Sequence, residues 1–414
     1  MTRKPPWILP VIVFSQFAGS SIWFSGNAVL AELVRGWSTS APMSGWITGA
    51  VQLGFIAGTL VFALFSIADR YSPRWVFLLC AAAGALANLL TAFTAASLTG
   101  LLALRFTTGF FLAGIYPVGM KIAAGWYEKG LGNALGFLIG ALVLGTAFPH
   151  LLKGGLTAFP WQAVMAVSSG VCLLGGLLMA LLVPDGPYLA SAPRFDPRAV
   201  AALFRHRQLR AAATGYFGHM WELYTLWAFV PLFLEAYASK RPDVTLNIPV
   251  WSFAVIGIGG LGCTVGGLLS IRWGSARVAI VQLALSGLCC FFSPLMFAVP
   301  PEPFLALMLL WGTTVVGDSP QFSAIVARSA PKELVGSALT LVNCIGFSIT
   351  VASLSLVQWL AAVLPPQYLL IGLAAGPAIG LVGMRPLVVK QADRPNSIKA
   401  AHGKKDDKLR AQKF

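Results

Sequence analysis

The sequence predicts an all-α membrane protein whose 12 transmembrane helices form two six-helix bundles, with both termini in the cytoplasm. Three observations predict this class. Of the 414 residues, 57% are hydrophobic and only 10% are charged, the apolar residues fall into long runs, and the two halves of the chain repeat one pattern. Soluble domains carry about 25% charged residues. The composition therefore excludes a disordered chain and a nucleic-acid-binding globule, and it argues against a cytosolic enzyme.

The apolar runs are each long enough to cross a bilayer, because about 20 apolar residues in a helix span its roughly 30 Å hydrocarbon core. The first run follows Arg3 and Lys4 but contains Pro10 and lacks a small-residue cleavage site, so we interpret it as an uncleaved span. The predicted spans are 7–29, 43–67, 75–98, 99–124, 132–154, 162–183, 211–237, 250–273, 278–298, 302–328, 336–360 and 366–388.

The distribution of Lys and Arg predicts the orientation of these spans. With the N-terminus inside, 23 of the 29 basic residues fall on the inner side, and 4 fall on the outer side: Arg35, Lys153, Lys240 and Arg241. Cytoplasmic loops of membrane proteins carry such an excess. The net charge of +15 is therefore a topology signal that needs no nucleic-acid partner. The chain has no Asn-x-Ser/Thr sequon, which suits a multi-pass protein of a bacterial inner (plasma) membrane.

Charge and proline content divide the chain into four parts. We predict an N-terminal six-helix bundle at 1–183, a cytoplasmic basic linker at 184–210, a C-terminal six-helix bundle at 211–388 and a cytoplasmic basic tail at 389–414. Within the linker, Asp196 is placed to cap a short helix that starts at Pro197 and Arg198. The apolar face of this helix either lies on the bilayer surface or belongs to a plain linker. That face contains Val200, Leu203 and Phe204.

The two halves repeat the same residues at a nearly constant distance. The matching pairs are Arg70 and Arg272, 202 apart; Gly109 and Gly312, and Pro117 and Pro320, each 203 apart; and Gly132 and Gly336, 204 apart. A constant offset over three regions predicts two halves of equal topology. Transporters built from parallel repeats place their substrate site between such halves, near the bilayer midplane.

These features resemble the major facilitator superfamily over the whole chain. The turn between the second and third spans is similar to the family signature Gly-x-x-x-Asp-Arg-x-Gly-Arg-Arg at Asp69, Arg70 and Arg74, whereas Phe65, Ser72 and Pro73 depart from it. The second copy keeps Gly267, Arg272 and Gly274 but has Ile271 in place of the acid. Arg105-x-x-x-Gly109 is similar to a second family motif. The segment 218–224 is weakly similar to the nitrate/nitrite-porter-like branch.

The resemblance implies that the two halves rock around a central site. It also implies that Asp69 pairs with basic groups and a helix end of the other half in the outward-facing state. The predicted gating residues are Asp69, Arg70, Arg74, Lys121 and Arg272. The alternative for the signature charges is a simple topology cluster, and for Lys121 it is snorkelling to the inner headgroups.

Charged residues inside the spans are candidates for coupling, because each costs about 2.5–3.5 kcal/mol at the bilayer centre on insertion scales. We predict that Glu222, Asp318 and His219 handle protons. His219 precedes Glu222 by three residues, so both lie on one helix face. Asp318 precedes Pro320, which breaks a helix and frees a backbone carbonyl. The alternatives are a permanently hydrogen-bonded glutamate and a salt bridge from Asp318 to Lys121 or Arg328.

Other candidates are proposed to bind the solute. Arg105 lies within the fourth span, where it attracts an anion, pairs with a carboxylate during gating, or snorkels outward. The resemblance implies that spans 1, 4, 7 and 10 line the cavity. The remaining predicted substrate-binding residues lie on those spans: Gln16, Asn27, Tyr116, Tyr224, Trp227 and Gln321.

The predicted function is secondary active transport of a small solute, favoured to be a small anion, by alternating access and with proton coupling. Proton-coupled efflux of amphipathic or cationic compounds is the alternative, and a channel or a non-transporting receptor is the alternative class. No nucleotide-binding Gly-x-x-x-x-Gly-Lys-Ser/Thr loop and no metalloprotease motif occurs, so we predict neither an enzyme nor a cofactor. The six cysteines lack C-x-x-C spacing and predict no metal site. The expected partners are the solute, protons and the lipid bilayer, and the resemblance implies a monomer.

Overall fold

The chain is helical throughout the part that the computed structural model describes, and that part contains no strand. The structure describes residues 5–33, 43–94, 97–127, 131–155, 159–189, 196 and 198–392. Several charges used to predict the orientation therefore lie outside the described residues, namely Arg3, Lys4, Arg35, Lys129, Arg194 and those from Arg394 onward. The predicted tail at 389–414 also lies outside them beyond residue 392.

Two sets of helices follow one another along the chain. The first set is α1 (Ile8–Ser20), α2 (Ser25–Ala28), α3 (Leu30–Leu33), α4 (Ser44–Leu64), α5 (Ile67–Arg70), α6 (Pro73–Thr94), α7 (Leu98–Leu112), α8 (Tyr116–Trp126), α9 (Leu131–Gly154) and α10 (Trp161–Leu182). The second set is α11 (Arg198–Arg205), α12 (Arg207–Ser239), α13 (Ile248–Gly257), α14 (Gly259–Trp273), α15 (Ser275–Phe292), α16 (Pro301–Gly317), α17 (Ser319–Ser329), α18 (Val335–Leu360) and α19 (Ala375–Ala392).

Nine segments of the described chain are long and apolar enough to cross a membrane. The shorter apolar helix α1, the 33-residue helix α12 and the pair α16 and α17 occupy the predicted first, seventh and tenth spans. The all-helical, multi-pass fold class is therefore confirmed, whereas the count of 12 crossings and the location of the termini stay predictions. Helix α12 begins at Arg207, inside the stretch predicted as linker.

Several spans are interrupted, and the interruptions decide where polar side chains are needed. The breaks lie at 21–24 between α1 and α2, at 113–115 between α7 and α8, and at Asp318 between α16 and α17. Pro117 and Pro320 lie in the first turns of α8 and α17, where a missing backbone N–H costs nothing. Each break frees backbone groups that must find partners inside the bilayer.

The same close contact holds helices together in both halves. Gly109 of α7 lies against the backbone of Val51 in α4, and a Cβ atom there would overlap the Val51 carbonyl oxygen. Gly312 of α16 lies in the same way against the carbonyl of Val255 in α13. Small residues let helix backbones approach where lipid offers no hydrophobic driving force. The repeated Gly109 and Gly312 therefore mark equivalent helix contacts.

The linker helix α11 packs on protein. As predicted, the Oδ1 atom of Asp196 accepts the backbone N–H of Arg198 at 2.8 Å, and the Arg198 side chain and N–H lower the pKa of the Asp196 carboxyl. Leu203 is 4% exposed and α11 packs against α12 and α18, so this residue does not lie on the bilayer surface. Val200 is exposed, and the side chain of Phe204 lies outside the description.

Candidate functional site

The two halves meet in the middle of the bundle through six aromatic side chains, which we call the aromatic cluster. Its members are Trp23, Phe24 and Phe55 of the first half and Tyr224, Trp227 and Phe347 of the second. The rings of Trp23 and Tyr224 stack at 5.7 Å, and those of Phe55 and Phe347 lie 4.5 Å apart. All six side chains are buried. The cluster therefore fills part of the seam between the two halves.

A small cavity borders the aromatic cluster. Its volume is about 30 Å³, which leaves room for only one or two water molecules. The predicted residues Tyr116, Tyr224 and Trp227 line it. The other lining residues are Ile139, Leu142, Tyr216, Met220, Leu223, Val316, Ser319, Ser323, Asn343 and Phe347. This lining includes no basic side chain, and the site is too small here to hold a solute.

Several polar residues near the seam were missed by the sequence interpretation. Asn343 of α18 and the pair Ser319 and Ser323 of α17 line the cavity. Asn343 is one of two side-chain amides in the eleventh apolar run, with Gln358, and the resemblance does not place this span on the cavity. The indole Nε1 atoms of Trp23 and Trp227 are buried without a hydrogen-bond partner among the described residues. Buried indole N–H groups usually find partners, so these two donors are exceptions.

Three predicted solute ligands lie away from the cavity lining. The Nε2 atom of Gln16 donates to Ser20 Oγ at 3.4 Å on the same helix. Asn27 donates to Thr48 Oγ1 at 2.7 Å, which joins α2 to α4. Gln321 is buried on α17 but does not line the cavity. Their roles in binding stay predictions, and their contacts are those of helix packing.

Arg105 binds the broken part of the first span. Its Nη2 atom donates to the backbone oxygens of Ile22 at 2.9 Å and Trp23 at 2.7 Å. Its Nη1 atom donates to Asn88 Oδ1 at 2.7 Å and Ser25 Oγ at 3.3 Å. The side chain is fully buried. The guanidinium thus satisfies carbonyls freed by the break at 21–24, and it holds Trp23 of the aromatic cluster in place.

Glu222 lies inside the second half, on the side of α12 opposite to the cavity. Its Oε1 atom accepts the hydroxyl of Ser286 in α15 and the indole N–H of Trp311 in α16, the latter at 2.7 Å. The residue is 1% exposed. The carboxyl therefore connects three helices of one bundle and does not line the cavity.

His219 and Asp318 form a buried pair one turn from Glu222. The Nδ1 atom of His219 lies 2.8 Å from Asp318 Oδ1, although the two atoms are not aligned as a linear hydrogen bond. Both residues are at most 1% exposed. Asp318 lies at the break between α16 and α17. Together with Glu222, they place two carboxyls and an imidazole at α12. We call Glu222, His219 and Asp318 the acid–histidine group.

Four predicted gating residues, Asp69, Arg70, Arg74 and Lys121, belong to the first half, and Arg272 lies near the end of α14 in the second. Lys121 pairs with Asp69 and donates to the carbonyl of Ala68 at 2.7 Å, and it does not pair with Asp318. Arg74 donates weakly to Ala180 O at 3.4 Å. Arg70 and Arg272 are exposed. The contact of Asp69 with Lys121 lies within one half, unlike the pairing implied for an outward-facing state.

The turn before Asp69 also departs from the signature. Where the signature has glycine, this chain has Phe65, and the next residue, Ser66, adopts a φ of 50°. That left-handed conformation is uncommon for residues other than glycine. The second copy has its positive φ, 81°, at Gly274.

The two halves are in contact at the end of the bundle that is predicted to lie outside. Helix α4 packs against α18, and α9 packs against α13 and α14. Hydrogen bonds between the two bundles join Gly45 to Gln358 and Asn247 to Gly154, at helix ends predicted to be outside, so the structure is closed on that side.

Comparison with known proteins agrees with this architecture. Residues 11–354 match the model of the Major Facilitator Superfamily. This match covers most of the sequence, and the chain belongs to this family of membrane transporters. A comparison with curated protein sequences finds no significant match.

Solved structures show the same fold at low sequence identity. A mutant of the nucleoside transporter NupG superposes with a TM-score of 0.69 at 13% identity, covering 91% of this chain and 99% of its own. A bacterial homologue of the human lysosomal transporter Spinster, inward-facing and unoccupied, has a TM-score of 0.66 at 14% identity, with coverages of 93% and 95%. The protein is therefore an integral multi-pass membrane protein with the fold of a secondary transporter that works by alternating access.

Proposed function

We propose that this protein is a proton-coupled transporter of a small amphipathic solute, neutral or cationic. The observation that carries the proposal is the acid–histidine group, in which Glu222, His219 and Asp318 are all at most 1% exposed. A charge at the bilayer centre costs about 2.5–3.5 kcal/mol on insertion scales, and proton binding to a carboxylate removes that charge. If one state of the carrier tolerates the charge better than the other, a proton gradient biases the cycle.

The position of the group suits coupling rather than direct solute binding. It lies inside the second half and not on the cavity. Asp318 occupies the break between α16 and α17, and Ser319 and Ser323 of α17 line the cavity directly after it. A change of charge at Asp318 therefore acts on a helix break whose next residues face the solute.

The contacts of the basic residues favour an amphipathic solute over a small anion. The anion expectation rested on Arg105 and Lys121. Arg105 donates four hydrogen bonds to the protein, and Lys121 pairs with Asp69. The faces of Tyr224 and Trp227 attract apolar groups and cations instead. The unpartnered indole N–H of Trp227, which lines the cavity, then donates to a polar atom of the solute.

The wider setting follows from the sequence. We propose that the bundles at 1–183 and 211–388 are the two rocking halves, joined by the linker at 184–210, and that the protein works as a monomer in a bacterial inner membrane. The gating residues around Asp69 are proposed to exchange partners between states.

The solute class is tested first by ligand stabilisation. Purified protein is heated with amphipathic cations, with nucleosides as uncharged aromatic compounds, and with small anions such as nitrate. A bound ligand raises the apparent Tm by mass action. At a ligand concentration of 100 times Kd, binding adds about 2.7 kcal/mol to the stability. We expect stabilisation by a cationic or neutral compound. Stabilisation by nitrate alone would return the solute class to a small anion.

Coupling is tested with Glu222→Gln, which keeps the shape of the protonated side chain. In proteoliposomes, this variant should lose accumulation driven by a pH gradient while keeping counterflow of the solute found above. Glu235→Gln is the matched control, because Glu235 lies on the same helix α12 but is exposed. Concentration of solute by Glu222→Gln in response to the gradient would remove Glu222 from the coupling mechanism.

A further inference from the structure

Two hydrogen bonds join the halves at the closed end of the bundle. The backbone N–H of Gly45, at the start of α4, donates to Gln358 Oε1 near the end of α18 at 2.8 Å. The side-chain Nδ2 of Asn247, before α13, donates to the carbonyl oxygen of Gly154, at the end of α9, at 2.9 Å. Each bond thus connects the backbone of a glycine in the first half with a side-chain amide in the second.

The four residues are related by the internal repeat. Gly45 and Asn247 are 202 positions apart, the offset that also relates Arg70 and Arg272. Gly154 and Gln358 are 204 positions apart, the offset found between the fifth and eleventh spans. Gly45 therefore contacts Gln358, the counterpart of Gly154, and Gly154 contacts Asn247, the counterpart of Gly45. The two bonds are one contact made twice across the pseudo-twofold axis, with glycine always in the first half and the amide always in the second.

Glycine is required at both positions by the closeness of the helices. A Cβ atom on Gly45 would lie 2.7 Å from Gln358 Cβ and 2.8 Å from the carbonyl oxygen of Leu354. A Cβ atom on Gly154 would lie 2.7 Å from Asn247 Oδ1 and 2.8 Å from Pro249 Cβ. Real Cβ atoms do not approach neighbours this closely, so a methyl group would push the halves apart.

The Asn247 amide is oriented before it meets the first half. Its Oδ1 atom accepts the backbone N–H of Val250 at 3.2 Å and caps α13. The Nδ2 donor is thereby directed away from the helix and toward Gly154. Because helix capping fixes the side chain, little conformational entropy is lost when the second bond forms.

We propose that Gly45, Gln358, Gly154 and Asn247 form an outer latch that sets the balance between the inward- and outward-facing states. Gln358 and Asn247 are its positioning residues. Both bonds and both close contacts must separate whenever the outer side opens. The latch does not depend on the solute or the coupling ion, so its test stands apart from that of the proposed function.

The test measures the distance between the outer ends of the two halves. Spin labels are attached at Phe159→Cys in the first half and Val363→Cys in the second, which are exposed positions. The six native cysteines are buried and react poorly with the label. Double electron–electron resonance in nanodiscs then gives the populations of short and long outer distances without any ligand.

The latch variants and the control variants all replace glycine with alanine. They differ in whether the added methyl group overlaps a neighbouring atom. We expect Gly45→Ala and Gly154→Ala to raise the ratio of long to short distances by about fivefold or more, the effect of losing one typical hydrogen bond. Gly49→Ala on α4 and Gly136→Ala on α9 are the controls, because a Cβ atom there meets nothing within 4 Å. These controls should stay within about twofold of the parent protein, as surface-like substitutions do.

Two further variants keep the proposal testable if the alanines hinder folding. Gln358→Ala and Asn247→Ala remove the hydrogen bonds without adding bulk, and each should move the ratio in the same direction by about fivefold. Unchanged distances in folded latch variants would overturn the proposal. So would equal shifts in the controls, because helix propensity and not the contact would then be responsible.

Discussion

Arg105 offers the sharpest distinction between a structural and a binding role. Replacing it with alanine leaves three buried acceptors without their charged donor: Asn88 Oδ1 and the backbone oxygens of Ile22 and Trp23. In soluble proteins each unpaired buried group costs about 1–3 kcal/mol, while membrane double-mutant cycles average roughly 0.6 kcal/mol. Ser25 Oγ lies 2.5 Å from Asn88 Oδ1 and compensates in part. We therefore expect Arg105→Ala to lower the free energy of unfolding by about 2–4 kcal/mol.

The measurement is loss of helical signal as purified protein is titrated with a denaturing detergent. Arg105→Lys should lose about half as much stability, because one ammonium cannot reproduce the fork that contacts α2 and α6 together. Arg70→Ala serves as the control. Arg70 is exposed on α5, so its replacement should change stability by less than about 0.5 kcal/mol.

The outcome decides between two roles for the guanidinium. A variant Arg105→Ala that unfolds like the parent but no longer binds the stabilising solute would refute the structural account. The prediction from the sequence that Arg105 attracts a small anion would then be supported. A less stable variant that still binds the solute supports the contacts to Ile22 and Trp23 as the reason for burying this charge.

Two further predictions concern the charge pairs. Asp318→Asn replaces the carboxyl beside His219 with an amide that cannot ionise, so accumulation driven by a pH gradient should fall while counterflow persists; accumulation equal to that of the parent would assign the pair to packing. Asp69→Asn breaks the pair with Lys121, which is partly exposed, so stability should fall by less than about 1 kcal/mol. Uptake and efflux rates should nevertheless fall, because the gate loses a charge; rates equal to those of the parent would contradict a gating role.

The sequence predicted the position of the break in the tenth span but not the partner of Asp318. Pro320 predicted the interruption, and the structure places it at Asp318. The partner of Asp318 was left open between Lys121 and Arg328, whereas the structure pairs it with His219. His219 lies almost 100 residues earlier in the chain. No local pattern contains that pairing, because it depends on how α12 rotates about its own axis.

The same limit applies to the missed cavity residues. Ser319 and Ser323 lie on α17 beside other polar residues such as Gln321, and Asn343 is one of several polar residues on α18, so none of the three stands out in the sequence as facing inward. The aromatic cluster was equally hidden, since Trp23 and Tyr224 meet only when the first and seventh spans cross at the seam.

The sequence by itself determined the class of the protein. The thickness of the bilayer sets the length of the apolar runs, the sidedness of Lys and Arg predicts the orientation, and the constant offset near 203 predicts the repeat. The tertiary structure alone decided which side chains face one another. Arg105 turned toward the broken first span, and Glu222 turned away from the cavity. The physical reason is that partners of buried polar groups in a membrane come from other helices, and helix rotation is fixed by packing contacts that only the folded chain contains.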